Sequence, residues 1–379
     1  LQEHARRMEL AHQLIERSFF WRLTAPLRWL RDIATGQHRS AGSSAEEGPT
    51  SVSAEEERVE DSARRIESTS GPGSEDYKQS YRREAEQQLA RFLASENRLD
   101  FTPGNECRLT ILLVLYNQAP LTLLCLQSLL QHGDVPCQLV LIDNHSTDNT
   151  DQLLARIDGA TIVRNEDNRG FLLAVNQGLE LARCPYLLLL NNDAMIEPGA
   201  LGQAVATLES DPGIGAVGAR ISLLDGSLQE AGSIIWSDGA CLGYGRGDDP
   251  DAPAYRFRRD VDYCSGAFLM LRRQQFLDMG GFDEEYAPAY YEESDFCIRL
   301  WESGYRVVYE PRARIIHYEF ASADGFKGAS ELQQRNRSKL CGKRGDYLAN
   351  KLSNDPANVL KARTANNRPR VLVIDDRVP

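Results

Sequence analysis

From residue 109 onward, short apolar runs alternate with segments whose leucines recur at helical spacing, and this alternation constrains the fold more than any other feature. Short apolar runs bounded by turn residues are typical of buried strands. Strands that alternate with helices over short links are typical of a parallel, doubly wound sheet. The predicted strands are residues 109–115, 138–142, 161–164, 186–190 and 306–309, and the predicted helices are residues 121–131, 150–157, 171–182 and 294–302. The sequence therefore predicts an α/β domain that begins near residue 108.

The composition of the chain limits the classes of protein to which it can belong. The 379 residues are enough for a large core and more than one module. The net charge of −12 argues against nucleic-acid binding, and no apolar run is long enough to span a bilayer. The eight cysteines include no Cys-x-x-Cys pair, which is typical of reduced, mostly buried thiols. We therefore expect a cytoplasmic protein.

The segments before the domain differ from it in composition. Residues 1–35 combine basic and aromatic side chains at helical spacing, which predicts a helix that docks on a partner domain or lies against an anionic membrane surface. Residues 36–76 are rich in Ser, Gly and Glu and predict a flexible acidic linker. Residues 77–107 regain helical spacing and predict a helical lead-in to a domain at residues 108–345.

After the domain, a polar linker is predicted at residues 346–369. Residues 370–379 then read as an apolar strand that ends in acidic residues. We interpret this tail as the start of a second α/β domain that is cut off, and a stray edge strand of the first domain is the alternative.

Polar side chains follow three of the predicted strands. They are Tyr116-Asn117, Asp143-Asn144 and Asn191-Asn192-Asp193. In open α/β sheets, ligands bind at the carboxyl ends of the strands. A carboxylate there is a typical ligand for Mg²⁺ or Mn²⁺ beside a substrate diphosphate, although Asn-Asn-Asp is also an ordinary polar turn.

A predicted helix start supplies a further candidate binding element. Asn168 and Gly170 precede Phe171 at the beginning of that helix. Glycine allows close approach of a backbone, and a helix N-terminus favours negative charge. A turn glycine with no ligand is the alternative.

Acidic residues cluster before the last predicted helix, where Tyr290-Tyr291 precede Glu292, Glu293 and Asp295. Such residues often cap helices, but close carboxylates also raise one another's pKa, which suits a general base that deprotonates a hydroxyl. His317 follows another apolar run, and its imidazole could complete a metal site with Asp193.

Taken in order, these motifs resemble glycosyltransferase family 2, and most closely its bacterial rhamnosyltransferase-like branch. The resemblance covers about residues 108–320. The matching motifs are residues 111–118, 142–148, 168–171, 176–178, 191–193, 265–267, 280–284 and 292–295. The tail at residues 368–376 is similar to the opening of a two-Rossmann-domain glycosyltransferase, which implies further transferase domains in the same chain.

The resemblance implies a GT-A fold, with a mixed and mainly parallel sheet flanked by helices and an N-terminal helical extension. It implies inverting transfer from a nucleotide-diphosphate sugar, such as a dTDP- or UDP-sugar, with Mg²⁺ or Mn²⁺. Asp193 and His317 would bind the metal, and Glu293 would be the base, with Glu292 and Asp295 beside it. Donor-binding residues would be Leu115, Tyr116, Asn117, Asp143, Asn168, Gly170, Phe171, Asn176 and Asn192.

Two departures from the family pattern affect this site. Glu293 stands where the family has Asp, which adds one methylene to the base, and Asn191 replaces the first Asp of Asp-x-Asp. The acceptor implied is a glycan, lipid-linked, of a growing bacterial surface polysaccharide, handled in the cytoplasm or at the inner face of the membrane. The alternatives are a non-catalytic GT-A-like spacing module and a sugar-phosphate nucleotidyltransferase, although no Gly-rich basic phosphate loop follows the first strand.

Overall fold

The computed structural model describes residues 72–104, 106–319 and 326–365. Two compact units are present: one contains residues 72–81 and 247–249, and the other contains the remainder of the described chain. The predicted segment 1–35 and the predicted tail 370–379 lie outside the described residues. Of the predicted linker at 36–76, the last five residues belong to a helix that begins at Pro72.

In the first half of the described chain, helices separate single strands or pairs of strands. In chain order they are α1 Pro72–Ala94, β1 Leu99–Asp100, β2 Leu109–Leu115, α2 Ala119–His132, β3 Cys137–Asp143, α3 Thr150–Leu154, β4 Ile157–Asp158, β5 Thr161–Arg164, α4 Gly170–Leu179, β6 Tyr186–Leu190, β7 Ala194–Ile196 and α5 Ala200–Glu209.

The second half begins with a run of strands. Its elements are β8 Ile214–Leu223, β9 Leu228–Ala231, β10 Ser233–Ile235, β11 Cys241–Gly243, β12 Arg259–Asp260, β13 Phe268–Arg272, α6 Arg273–Asp278, α7 Glu292–Glu302, β14 Arg306–His317, α8 Phe326–Lys343, α9 Gly345–Leu348 and α10 Val359–Ala362. Short 3₁₀ turns lie at Pro253–Tyr255, Glu284–Tyr286 and Pro356–Asn358.

A ten-stranded mixed sheet forms the centre, in the order β12-β14-β8-β13-β6-β2-β3-β5, with β7 beside β14 and β9 beside β8. The neighbouring strands β6, β2, β3 and β5 are parallel. β13 runs antiparallel to both β6 and β8. The predicted α/β fold class is therefore confirmed.

Strand β2 shows why the sheet is buried on both faces. Its side chains alternate, so that Leu109, Ile111 and Leu113 pack on one side and Leu112 packs on the other. A strand covered on both faces reads as a continuous apolar run, which is the pattern at residues 109–115.

Two predictions outside the sheet need correction. Residues 346–365 are not a free linker, because the buried side chains of Leu348 and Val359 anchor them to the domain. The cysteines are not all reduced, because Cys107 and Cys184 form a disulfide, while the other six are free thiols. The disulfide joins residues 77 positions apart in the sequence, so local composition does not encode it.

No helix among the described residues has the length and apolarity needed to cross a membrane.

Candidate active site

The carboxyl ends of β2, β3 and β6 meet at one edge of the sheet. Leu115 pairs with Asp143 across the β2–β3 ladder, and the Leu115 carbonyl accepts a hydrogen bond from the backbone N–H of Asn144. The Asn192 amide donates to the Thr122 hydroxyl at 2.9 Å and lies 3.5 Å from the Asn117 carbonyl. The polar residues after these strands are thus brought together, as the parallel topology requires.

Around Asn117 the backbone takes an uncommon course. Asn117 and Gln118 both have positive φ angles, 57° and 64°. Asn117 Oδ1 accepts from the Thr147 N–H at 2.7 Å, and the Asn117 N–H donates to the Ser146 hydroxyl at 2.8 Å. The loops after β2 and β3 therefore hold each other, and partly buried Tyr116 lies at their junction.

Asp143 is buried at the end of β3, where its Oδ1 accepts from the Ser146 N–H at 3.0 Å. Next to it, an amide network links Asn144, Asn165 and Gln177. Asn165 donates to Asn144 Oδ1 at 2.8 Å and exchanges hydrogen bonds with Gln177 at 3.0 and 2.9 Å. The network ties the ends of β3 and β5 to helix α4, so Asp143 has a rigid setting.

Gly170 begins helix α4 with a φ of 79°. A Cβ there would lie 2.5 Å from Cβ of Pro288 and 2.8 Å from its carbonyl oxygen. Exposed Asn168 caps the turn, because its Oδ1 accepts from the Gly170 N–H at 2.9 Å, and the Asn144 amide donates to the Gly170 carbonyl at 3.0 Å. Partly buried Phe171 follows, within van der Waals distance of a Cβ built on Gly266. Glycine is required here by both conformation and space.

Asn176, further along α4, has a different position from the other predicted donor-binding residues. Its amide donates to the Phe282 carbonyl at 2.8 Å, and its Oδ1 accepts from the Phe282 N–H at 2.9 Å. Both functional atoms of its side chain therefore hold the turn at Gly281-Phe282. The structure does not bring Asn176 to the group formed by the three strand ends.

Asp193 and His317 meet although 124 residues separate them. Strand β7, which follows Asp193, pairs with the end of β14, so that Ala194 lies opposite His317. Nε2 of His317 lies 3.0 Å from Asp193 Oδ1, and both side chains are buried. Burial lowers the pKa of His317, but the charge of Asp193 and its hydrogen bond outweigh burial and raise that pKa above its ordinary value.

The surroundings of His317 fix which ring nitrogen carries a proton. Nδ1 lies 2.9 Å from Oε1 of Gln229, and because an amide oxygen only accepts, Nδ1 must donate. Nε2 then faces the Asn191 amide nitrogen at 3.2 Å and the Asp193 carboxylate at 3.0 Å. The Asn191 amide donates hydrogen bonds, so it favours a lone pair on Nε2. The Asp193 carboxylate is negative, so it favours a cation between itself and the ring.

This donor set fits a divalent cation of the kind that the sequence implies. A carboxylate oxygen and an imidazole nitrogen are suitable ligands for Mn²⁺ or Mg²⁺. Among the described residues, no group of three or more His, Cys, Asp and Glu side chains forms a complete metal cage. Such a cage is not required, because a cation that binds substrate phosphates usually takes only one or two protein carboxylates.

Glu292 and Glu293 begin helix α7 side by side. Glu292 is 3 % exposed, and in each residue Oε2 is buried without a hydrogen-bond partner. Burial and the charge of Glu293 raise the pKa of Glu292 well above its ordinary value. Burial, supported by the charge of Glu230, raises the pKa of Glu293 to about 7. Both carboxyl groups are therefore harder to ionise than an ordinary glutamate.

Asp295, the third acidic residue of this cluster, is fully buried and ion-paired. Its carboxylate contacts Arg299 at 3.0 Å and Arg344 at 2.7 Å, and the Tyr286 hydroxyl lies 3.3 Å away. These bonds occupy both oxygens and connect α7 to the end of α8. The structure therefore gives Asp295 the environment of a structural ion pair.

Sequence reasoning missed Gln229 and Glu230, adjacent residues of β9. Gln229 contacts His317, and buried Glu230 accepts from the Ser265 N–H at 3.2 Å and the Ser233 hydroxyl at 3.1 Å. Burial raises the pKa of Glu230. The available signal was a polar pair within a short segment that is otherwise apolar. Without knowledge of the pairing between β9 and β8, that segment reads as one more polar turn.

The chain matches two known protein families. Residues 110–276 match the family described as glycosyl transferase family 2. Residues 251–320 match a second family, described as the N-terminal domain of galactosyltransferase. The first match includes Asp143 and Asp193, and the second includes Glu293 and His317.

Two curated relatives are each similar over more than half of the chain. An N-acetylglucosaminyl-diphospho-decaprenol L-rhamnosyltransferase from Mycobacterium tuberculosis is 30% identical over 253 residues, which is 61% of this chain and 82% of that protein. An uncharacterized protein, y4gI, from Sinorhizobium fredii is 28% identical over 222 residues. That alignment covers 56% of this chain but only 24% of the relative.

Solved structures support the fold. A crystal structure of GalNAc-T7 with UDP, GalNAc and Mn²⁺ aligns with a TM-score of 0.51 and 15% identity. The alignment covers 64% of this chain and 50% of that one, and it shows that the predicted GT-A architecture is correct. The family match and the 30% identical relative establish that the chain belongs to glycosyltransferase family 2 and is a glycosyl transferase.

Proposed function

We propose that this domain transfers a sugar from a nucleotide-diphosphate donor to a hydroxyl of a growing bacterial surface glycan, with inversion at the anomeric carbon. One observation carries the proposal. A carboxylate with a buried, unpartnered oxygen and a pKa near neutrality, Glu293, lies in the same domain as the Asp193–His317 pair, on a separate segment. Inverting transfer needs such a base apart from the group that stabilises the leaving diphosphate.

The donor would bind at the edge formed by β2, β3 and β6. Asp143 and Asn117 lie beside each other there and offer hydrogen-bonding groups to a nucleoside. Helix α4 begins at Gly170 beside this edge, where the Asn144 amide donates to the Gly170 carbonyl. We propose a dTDP- or UDP-sugar as the donor, with Leu115, Tyr116, Asn168, Phe171 and Asn192 forming the walls of its site.

Asp193 and His317 would hold Mg²⁺ or Mn²⁺, which when bound supplies positive charge against the leaving diphosphate. Gln229 keeps the imidazole oriented through Nδ1, so that Nε2 stays directed at Asp193. Asn191 and Asn192 shape the turn and provide no charge of their own.

Glu293 would take the proton of the acceptor hydroxyl as its oxygen forms the bond to the anomeric carbon. The bond from that carbon to the diphosphate breaks, and the nucleoside diphosphate leaves with the electron pair. Burial and the charge of Glu293 raise the pKa of Glu292, which disfavours a second negative charge beside this carboxylate. Asp295 serves the site only by fixing α7.

For the acceptor we propose a lipid-linked glycan at the inner face of the cytoplasmic membrane. The support is the name of the Mycobacterium tuberculosis relative, whose substrate is carried on a diphospho-decaprenol. The acceptor linkage would depend on the segment between β8 and β13, which contains Glu230.

The test combines donor binding with turnover. Calorimetry with dTDP- and UDP-sugars, with and without Mn²⁺ or Mg²⁺, should show metal-dependent binding that Asp193→Ala abolishes. Asp278→Ala, which removes an exposed carboxylate on α6, should bind normally. Glu293→Gln should bind donor normally and lose roughly 10²- to 10⁴-fold in turnover.

Two outcomes would contradict the proposal. Near-normal turnover by Glu293→Gln would move the base elsewhere, with Glu292 next to be replaced. Donor binding without transfer or donor hydrolysis, across all the nucleotide sugars tested, would indicate a non-catalytic module.

A further inference from the structure

The backbone that leads into the catalytic helix is held in an unfavourable conformation. Tyr290 and Tyr291 both lie in the left-handed region, with φ angles of 73° and 74°, immediately before Glu292. Residues with a Cβ rarely adopt this conformation, because it brings the Cβ too close to the following carbonyl oxygen. Surrounding contacts must therefore hold it, and the direction of the first turn of α7 depends on them.

A single buried side chain supplies three of those contacts. Asn336 of helix α8 is completely buried, and its Nδ2 lies 2.7 Å from the carbonyl oxygen of Tyr286, 2.9 Å from that of Ala289 and 2.9 Å from that of Tyr290. An amide NH₂ has two hydrogens, so at least one of them is shared between carbonyls. Asn336 thus bonds to the loop at residues 286–291 near both its start and its end.

Other residues of α8 also reach this loop, but from exposed positions. Arg335 donates to the Ala287 carbonyl at 2.6 Å, and Lys339 donates to the Glu285 carbonyl. Exposed charged contacts of this kind contribute little to stability. The buried amide is the one whose loss would leave carbonyl groups unpaired inside the protein.

The opposite side of this loop contacts helix α4, which borders the proposed donor site. The Pro288 carbonyl accepts from the Leu172 N–H at 3.2 Å, and Pro288 lies where Gly170 has no side chain. The loop is therefore fixed between α4, which borders the donor site, and Asn336. Its far end is Glu292, followed by Glu293.

We propose that Asn336 is a positioning residue for Glu293, because it fixes the left-handed turn at Tyr290-Tyr291 from which the first turn of α7 projects the base toward the acceptor hydroxyl. The inference rests on the proposed function, since it assumes that Glu293 is the base. The side-chain hydrogen bonds of Asn336 run to backbone carbonyls of the loop and, through Oδ1, to its neighbour Arg335. Its effect on transfer would pass through the direction of α7.

The first experiment separates positioning from folding. Asn336→Ala and the isosteric Asn336→Asp remove donors to the three carbonyls, and Gln333→Ala on the exposed side of α8 is the control. Assayed well below each variant's own Tm, both Asn336 variants should lose roughly 10- to 100-fold in kcat. Donor binding by calorimetry should stay within about threefold of the parent, because positioning of the base does not touch the donor site. The control should match the parent in both.

A milder variant keeps the inference testable if Asn336→Ala and Asn336→Asp do not fold. Asn336→Ser keeps one donor, so a folded protein is expected, with a smaller loss of kcat than Asn336→Ala. Unchanged kcat in any folded Asn336 variant, or a loss only near its Tm, would overturn the inference.

The double variant Glu293→Gln/Asn336→Ala distinguishes a path through the base from any other. If Asn336 acts through Glu293, the double variant should turn over at the same residual rate as Glu293→Gln alone. Losses that multiply would overturn the inference. Failure of the proposed function has another signature, namely near-normal turnover by Glu293→Gln itself, whatever Asn336 does.

Discussion

Gln229 and His317 are joined by a hydrogen bond of 2.9 Å between Oε1 and Nδ1, across 88 residues of sequence. Because the amide oxygen only accepts, it keeps the proton on Nδ1 and leaves Nε2 directed at Asp193. Partners of this kind orient a metal-binding imidazole and are worth roughly 10- to 100-fold in metal affinity.

Gln229→Leu should therefore weaken Mn²⁺ binding by roughly 10- to 100-fold. Gln229→Glu keeps an acceptor oxygen opposite Nδ1 and should retain most of the affinity. Electron paramagnetic resonance of free and bound Mn²⁺ measures this without any assay of transfer. Equal weakening in both variants would exclude the acceptor oxygen opposite Nδ1 as the cause of the effect.

The activity of the enzyme should depend on the ionisation of Glu293. A general base works only when deprotonated, so kcat should rise with pH through about 7 and level off above it. Glu230→Gln removes a negative charge that raises the pKa of Glu293, while its amide oxygen can still accept from Ser265. The midpoint of the pH–rate profile should then move to lower pH. A midpoint that stays in place or moves upward would exclude Glu230 from this role.

The same carboxylate should weaken the fold at alkaline pH. Below its ordinary pKa of 4.5, Glu293 is protonated in both the folded and the unfolded chain and adds no penalty. As pH rises, the unfolded chain loses this proton first, so the free energy of unfolding falls until the pH passes about 7. A rise from 4.5 to about 7 corresponds to on the order of 3 kcal/mol.

Glu293→Gln should accordingly be as stable as the parent near pH 4 and more stable at pH 8. Denaturant unfolding at both pH values measures the difference. A variant that is destabilised equally at both would show that the carboxylate is not held in an unfavourable charged state.

Gly170→Ala should damage both stability and donor binding. The positive φ costs about 1–2 kcal/mol for alanine, and contact with Pro288 adds to that. Gly199→Ala is the matched control, because Gly199 precedes α5 with a φ of 80° and a Cβ there meets nothing within 4 Å. A larger Tm loss at Gly170 than at Gly199 measures the contact with Pro288, whereas equal losses would leave only the backbone strain.

Sequence alone was sufficient for the groups that lie at the ends of regular strands. The apolar runs of β2, β3 and β6 are continuous, and the polar residues after them follow from the topology of a parallel sheet. The burial of polar side chains, and contacts between residues far apart in the sequence, could not be predicted in the same way. Glu292 and Glu293 look alike in the sequence, and only burial and their neighbours separate their pKa values.

The structural role of Asp295 could not be predicted from the sequence either. In the sequence it is one of three neighbouring acids, but Arg344, 49 residues later, makes it part of an ion pair. Asn336 carried no signal at all, because its three partners are backbone carbonyls of a loop 46 to 50 residues earlier.

Strand β9 is only four residues long, yet its two central side chains serve different halves of the site. Neighbouring side chains of a strand point to opposite faces, so Gln229 reaches His317 while Glu230 lies beside Ser265 and within electrostatic range of Glu293. A chimera that exchanges residues 224–264 to graft another acceptor preference would replace both at once. Grafts that retain Gln229 and Glu230 should keep their metal affinity. The rest of the segment can then be exchanged between relatives, while these two residues stay in place.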